Sequence, residues 1–154
     1  MIVVDSNVLA ARNLTGTATC LSRAVEIQDP VWIAPPLWRY EFQNILAKAI
    51  WARQITAEQG LQAWRATFLQ MAGNEHDSAP DRVLDLSSHY RITAYDANFI
   101  ALAMEMNVIC VTEDGELQRK FPAIAVSMKD FTRTDWTGGM VRETPVRYRT
   151  RKRT

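Results

Sequence analysis

Several things are scarce in this 154-residue chain, and each scarcity excludes a class of protein. Two cysteines, Cys20 and Cys110, are too few for a disulfide framework. They fall in a helix-like and a strand-like run, so both are expected to be buried thiols in a reducing compartment. The two histidines, His76 and His89, are thirteen residues apart in different segments, and no Cys/His spacing suggests zinc. No apolar run reaches the roughly 18–20 residues that cross a bilayer, so no membrane segment is expected. No basic stretch precedes the first apolar run, so no secretory signal is expected and the reading is cytoplasmic. Internal repeats and low-complexity segments are absent.

What remains is ordinary for a globular domain: 47% hydrophobic and 23% charged residues. A chain of this length forms one domain with a sizeable core. The net charge of +1 conceals an asymmetry. Residues 132–154 carry seven basic residues against two acidic ones, a net of +5, so the preceding 131 residues sum to −4. An acidic body with a basic tail suits a protein whose body holds cations and whose tail touches phosphate, although a solvated terminus has the same composition.

The apolar patterning alternates between two types. Short unbroken β-branched runs, Ile2–Val4, Val31–Ala34, Val108–Val111 and the weaker Ile124–Val126, read as strands covered on both faces. Between them lie segments of helical period: Ser6–Asn13, Thr15–Gln28, Leu37–Arg53, a helix opened by a Thr56-x-x-Gln59 capping box, one starting at Pro80, Thr93–Met106 and Glu116–Lys120. Strands separated by helices imply parallel crossovers and a three-layer α/β/α sandwich with a mostly parallel sheet. The expected organisation is this domain over residues 1–131, followed by the basic tail 132–154.

Four acids stand where acids are not expected. Asp5 and Asp114 each follow a buried strand and precede a helix, at the strand ends that face the ligand crevice of such sheets. Helix capping is the competing account of both. Glu41 and Asp96 border inward faces, Glu41 beside Trp38 and Ile45, Asp96 beside Phe99, Ile100 and Ala103. An ionised carboxylate there is costly unless a cation offsets its desolvation. A surface ion pair with Arg39 or Lys48 would explain Glu41, and a favourable helix dipole would explain Asp96. Taken together, the four acids belong to one edge of the sheet. Four carboxylates in one crevice repel, and all-oxygen donors favour a hard divalent ion, Mg²⁺ or Mn²⁺.

The segments Val3-Val4-Asp5-Ser6-Asn7, Glu41 after a Pro-containing loop, Tyr95-Asp96-Ala97-Asn98-Phe99-Ile100-Ala101-Leu102-Ala103, and Val111-Thr112-Glu113-Asp114-Gly115-Glu116-Leu117 resemble the PIN domain family. In its small single-domain form the chain is similar to the VapC toxins of bacterial toxin–antitoxin pairs. The resemblance covers residues 1 to about 131. It implies a Mg²⁺- or Mn²⁺-dependent endoribonuclease whose acids match Asp5, Glu41, Asp96 and Asp114. Ser6, Asn7 and Thr112 would support the pocket, Glu116 would add an outer carboxylate, and Glu113 would face solvent. It also implies an RNA substrate, a homodimer and a small antitoxin filling an apolar groove, for which Trp38, Trp51 and Trp64 are candidates. Arg149, Arg151, Lys152 and Arg153 of the tail are candidate phosphate contacts. The rival readings are a non-toxin RNA-processing nuclease, an RNA-binding domain without turnover, and a receiver-like domain. The last lacks the Asp and Lys it needs, having Ala34-Pro35 and Ser127-Met128 instead.

Overall fold

The structure is a computed structural model and describes residues 1–16 and 18–133. Four short strands form one wholly parallel sheet in the order β2-β1-β3-β4. They are β1 (Ile2–Val4), β2 (Trp32–Ile33), β3 (Cys110–Val111) and β4 (Ala125–Val126). Every strand residue except Val126 is buried, as the unbroken apolar runs require of a sheet covered on both sides. The register sets Val3 opposite Ile33 on one side and Cys110 on the other, with Val4 opposite Val111. The eight helices of the described residues are α1 (Ser6–Asn13), α2 (Thr19–Gln28), α3 (Trp38–Trp51), α4 (Ala57–Gln70), α5 (Pro80–Tyr90), α6 (Ala94–Met106), α7 (Gly115–Lys120) and α8 (Met128–Phe131).

From β1 the chain first moves outward to β2 and later returns to lay β3 against the other edge of β1. The strand order therefore reverses between β1 and β3, and the carboxyl ends of those two strands flank the crevice that open α/β sheets use for ligands. Helix α6 lies across this centre. Its Ala97, Phe99, Ile100, Ala101, Leu102 and Ala103 are all buried, and it packs on β1 and β3. A helix apolar on most of its circumference belongs inside, and here it carries Asp96 on its first turn.

Local rules account for the helix starts. Thr56 accepts from the Gln59 amide and Gln59 reaches back to the Thr56 amide, the reciprocal pair expected from the sequence. Pro80 occupies the first turn of α5. Three expectations are corrected. Helix α2 begins at Thr19 rather than Thr15, because the Thr19 hydroxyl closes the preceding loop, donating to the Leu14 carbonyl (2.9 Å) and accepting from the Gly16 amide (3.0 Å). Cys20 is exposed on that helix, whereas Cys110 is buried as expected. Helix α8 has no counterpart in the sequence reading, since four residues are too few to show a period. Ser127 caps it, and Gln28 donates to the Phe131 carbonyl (2.8 Å), docking α8 on α2.

The bend from β2 into α3 is held from outside. Ala34 pairs with Glu75 in an isolated parallel bridge. The Glu75 carboxylate accepts from Trp38 Nε1 (2.7 Å) and from Arg39 Nε (2.6 Å) and Nη2 (2.5 Å). This pairing holds the Glu75 carboxyl below its ordinary range, chiefly through the Arg39 bonds, and it clamps the first turn of α3, where Glu41 sits. Arg39 also lies 5.0 Å over the Phe68 ring. Trp38 is fully buried, with its ring 5.5 Å from Trp64. Residues from 134 onward, including the basic side chains proposed to contact phosphate, lie outside the described residues.

Candidate functional site

The sheet register continues past the strands into the crevice. The Asp5 amide donates to the Val111 carbonyl (3.0 Å), which sets Asp5 opposite Thr112. Asp5 occupies the N-cap position of α1, yet its side chain makes no capping bond to that helix. It is turned across the crevice instead. Its Oδ2 accepts from the Thr112 hydroxyl (2.5 Å) and from Asn7 Nδ2 (2.7 Å). The Ser6 and Asn7 amides at the start of α1 also favour the Asp5 carboxylate, so its bonds across the crevice add to its place at the helix start.

Asp114 behaves differently despite its parallel position. Its Oδ1 accepts from the amides of Glu116 (2.7 Å) and Leu117 (3.1 Å), so it does cap α7. It joins the crevice through Thr112, whose hydroxyl oxygen accepts from the Asp114 amide (3.0 Å) and from Asn7 Nδ2 (3.3 Å). Thr112 is fully buried and is the joint between the two strand-end acids. Glu41 Oε2 accepts from the buried Ser6 hydroxyl (2.6 Å), which brings the start of α3 to the start of α1. Asp96 Oδ2 accepts from Thr93 Oγ1 (2.7 Å), the residue that caps its own helix. Each acid therefore has one oxygen fixed by hydrogen bonds, and among the described residues no side chain donates to the other.

Electrostatics shows which acids face each other. Burial pushes the Asp5 carboxyl above its ordinary value, the Thr112 bond pulls it back, and the negative charge of Asp96 pushes it up again. Glu41 is raised in the same way, first by burial and then by the charges of Asp5 and Asp96, against the lowering effect of Ser6. Asp5 also helps burial hold the Cys110 thiol well above its ordinary value. The charge of Asp96 thus bears on Asp5 and Glu41, that of Asp5 bears on Glu41, and Asp114 is joined to Asp5 through Thr112. Arg39 is engaged with Glu75, and among the described residues no ion pair reaches any of the four acids.

The described residues contain no three His, Cys, Asp or Glu side chains close enough to enclose a metal ion. The chemistry of the donor set nevertheless fits a hard divalent ion: carboxylate oxygens, with hydroxyls and an amide behind them, and neither imidazole nor thiolate beside them.

A profile of the PIN domain matches residues 2–121, which is most of the chain and includes all four acids. The chain belongs to the PIN domain family. The crystal structure of PAE2754 from Pyrobaculum aerophilum superposes with a TM-score of 0.65 at 20% identity, covering 85% of this chain and 92% of that one, and it supports the fold. Among curated proteins none matches. The PIN domain is generally a nuclease fold, its members usually use divalent metals, and a PIN nuclease binds RNA. No helix among the described residues is long and apolar enough to cross a membrane.

The remaining residues singled out in the sequence fall as follows. Glu116 is exposed, with its Oε1 2.5 Å from Lys120 one turn on. Glu113 is exposed, but its carboxylate accepts from the Met128 amide (2.8 Å) and so caps α8, a role with no signal in the sequence. Glu75 was likewise invisible, a single acid in a polar loop. Of the three tryptophans, Trp38 is core, Trp51 is exposed at the end of α3, and Trp64 borders a hollow of about 310 Å³ with Leu46, Ile50, Gly60 and Leu61.

Proposed function

We infer that this PIN domain is a metal-dependent endoribonuclease that hydrolyses RNA phosphodiester bonds, acting as the toxin of a toxin–antitoxin pair. The observation that carries the reading is the placement of Asp5 against Thr112 and of Glu41 against Ser6, where the negative charge of Asp96 bears on both Asp5 and Glu41 and, among the described residues, no ion pair reaches them. Asp5, Glu41, Asp96 and Asp114 are the ligands of Mg²⁺ or Mn²⁺ in this reading. A divalent ion, when bound, supplies an activated water and charge stabilisation for the departing oxygen.

The chain's own groups do the positioning. Thr112 and Asn7 fix one Asp5 oxygen, and Ser6 fixes one oxygen of Glu41. Hydroxyl and amide donors of this kind orient ligand carboxylates from behind. Glu116 is the outer carboxylate, on the exposed side of α7. The basic residues of 132–154 hold the phosphate backbone, since an acidic crevice alone repels RNA.

The apolar hollow between α3 and α4 supports docking of a small antitoxin, and the protein is read as a cytoplasmic homodimer. Purified protein with Mn²⁺ is expected to cut single-stranded RNA, and Asp96→Asn is expected to lose that activity. Equal cleavage by Asp96→Asn would sink the mechanism. Co-purification with the protein encoded next to it tests the toxin assignment separately. A preparation that cleaves RNA but retains no small partner keeps the nuclease and loses the toxin.

A further inference from the structure

A helix start without a capping side chain depends on ties from elsewhere. Thr56, Thr93, Asp114 and Ser127 cap their own helices, but Leu37 at the start of α3 makes no such bond. The first two side chains of α3 are held instead, since Trp38 and Arg39 both donate to Glu75, three and two residues before Glu41. The segment that carries Glu75 is fastened beside the end of β2. The Ala34 amide donates to the Asn74 carbonyl (3.2 Å), and the His76 amide donates to the Ala34 carbonyl (3.1 Å). Further along, the Ser78 hydroxyl donates to the Asn98 carbonyl (2.8 Å), two residues after Asp96 on α6. The Ala79 amide follows, donating to Glu105 Oε1 (3.1 Å) of the same helix. Residues 75–78 therefore run from the start of α3 to the first half of α6. Three Cα-to-Cα steps reach at most about 11 Å, so the tie is short. Helix α3 packs mainly on α1 and α4, and α6 on α5, β1 and β3, so neither is placed chiefly by the other.

We propose that Glu75 and Ser78 are positioning residues: with the segment between them they form a strut that sets how far Glu41 on α3 stands from Asp96 on α6. Neither residue touches an acid; each acts through the helix it grips. Under the metal-dependent nuclease reading above, on which this role rests, Glu41 and Asp96 are ligands of one divalent ion. Mg²⁺ demands near-ideal geometry at about 2.0–2.1 Å, so a shift of a few tenths of an ångström at either acid weakens binding. Supports behind a ligand set govern metal affinity for this reason. The two acids come from helices that share little packing, and the strut supplies the missing link.

The first readout needs no metal. Hydrogen exchange of the metal-free protein is followed at the Glu41 amide, bonded to the Leu37 carbonyl (3.3 Å), and at the Asp96 amide, bonded to Thr93 Oγ1 (3.1 Å). Ser78→Ala cuts the α6 end and is expected to speed exchange at Glu41 roughly fivefold, the worth of one hydrogen bond. Glu75→Ala cuts the α3 end and is expected to do the same at Asp96, with Glu75→Gln, which still accepts from Trp38, as the milder cut. The second readout is calorimetric titration with Mn²⁺ alone. Each Ala variant is expected to bind roughly tenfold more weakly, and the double variant no more weakly than either, because a strut fails at either end. Ser78→Thr keeps the hydroxyl and is expected to bind Mn²⁺ as the parent does. Ser22→Ala is the control, since it loses a hydroxyl bond of the same kind, to the Thr19 carbonyl (2.9 Å), on α2. The proposal is overturned if exchange quickens only at the substituted end, if the Ala variants bind Mn²⁺ as tightly as the parent, if the two losses add, or if Ser22→Ala loses as much. A parent that binds no Mn²⁺ while exchange still crosses the strut removes the metal-dependent reading alone. A parent that binds Mn²⁺ and cleaves RNA, with Ala variants that bind equally, removes the strut alone.

Discussion

Replacing Thr112 with valine preserves shape at a fully buried position and deletes one hydroxyl. That hydroxyl donates to Asp5 Oδ2 (2.5 Å) and accepts from the Asp114 amide (3.0 Å) and Asn7 Nδ2 (3.3 Å). A bond to a charged acceptor contributes about 1.5–3 kcal/mol, and leaving a buried donor unpaired costs ~1 kcal/mol or more. The expected loss at pH 7.5 is therefore about 3 kcal/mol, or roughly 10 °C in melting temperature for a chain this long. The loss should depend on pH. Asp5 is raised above its ordinary value of 3.8 by burial, so its protonated form favours folding; that contribution is complete below 3.8 and disappears as pH rises through the higher folded value. Removing the Thr112 bond, which holds the carboxyl down, raises it further and widens the window of lost stability. The deficit of Thr112→Val should thus be smallest in acid and grow toward neutral pH. Urea unfolding of both proteins at several pH values reads it directly. A deficit that is flat with pH, or under about 0.5 kcal/mol at pH 7.5, would refute the view that Thr112 anchors an ionised Asp5.

The two strand-end acids should part company. Asp5→Asn removes a buried carboxylate that the charge of Asp96 repels and is expected to raise the melting temperature of the metal-free protein at neutral pH. Asp114→Ala removes a helix cap and is expected to cost about 1 kcal/mol, with thermal melts of both variants as the check. Mn²⁺ should stabilise the parent by roughly 2.7 kcal/mol at a hundredfold excess over its dissociation constant, and this gain should vanish in Asp96→Asn; an equal shift in both would place the ion elsewhere. Glu75 is held below its ordinary 4.5 by Arg39, so its stabilising share is present above that value and lost as pH falls. Denaturation of Glu75→Gln should accordingly show a deficit at neutral pH that shrinks on acidification.

Much of this molecule was already written in local pattern. The unbroken run Ile2–Val4, the capping box at Thr56 and the period of Leu37–Arg53 are consequences of burial and hydrogen bonding within a few residues, so they could be read without coordinates. Helices between the strands imply a parallel sheet whose strands share one carboxyl edge, which is why Asp5 and Asp114 could be assigned to that edge, whereas the strand order came only from the fold. What local pattern could not separate was their roles. Both precede a helix, and only the folded chain bonds the Asp5 side chain across to Thr112 while Asp114 caps α7. Glu41 was suspected of pairing with Arg39, yet Arg39 is taken by Glu75, 36 residues further along the chain.

The amino-acid order by itself determined the alternation of strands and helices, the buried faces and which acids stand at strand ends and helix starts, because those depend on period and on neighbours in the chain. Tertiary structure alone decided which oxygen of each acid is tied down and which acids feel one another. Hydrogen bonds and Coulomb forces act over a few ångströms in space, and the partners here are up to 107 positions apart in the chain.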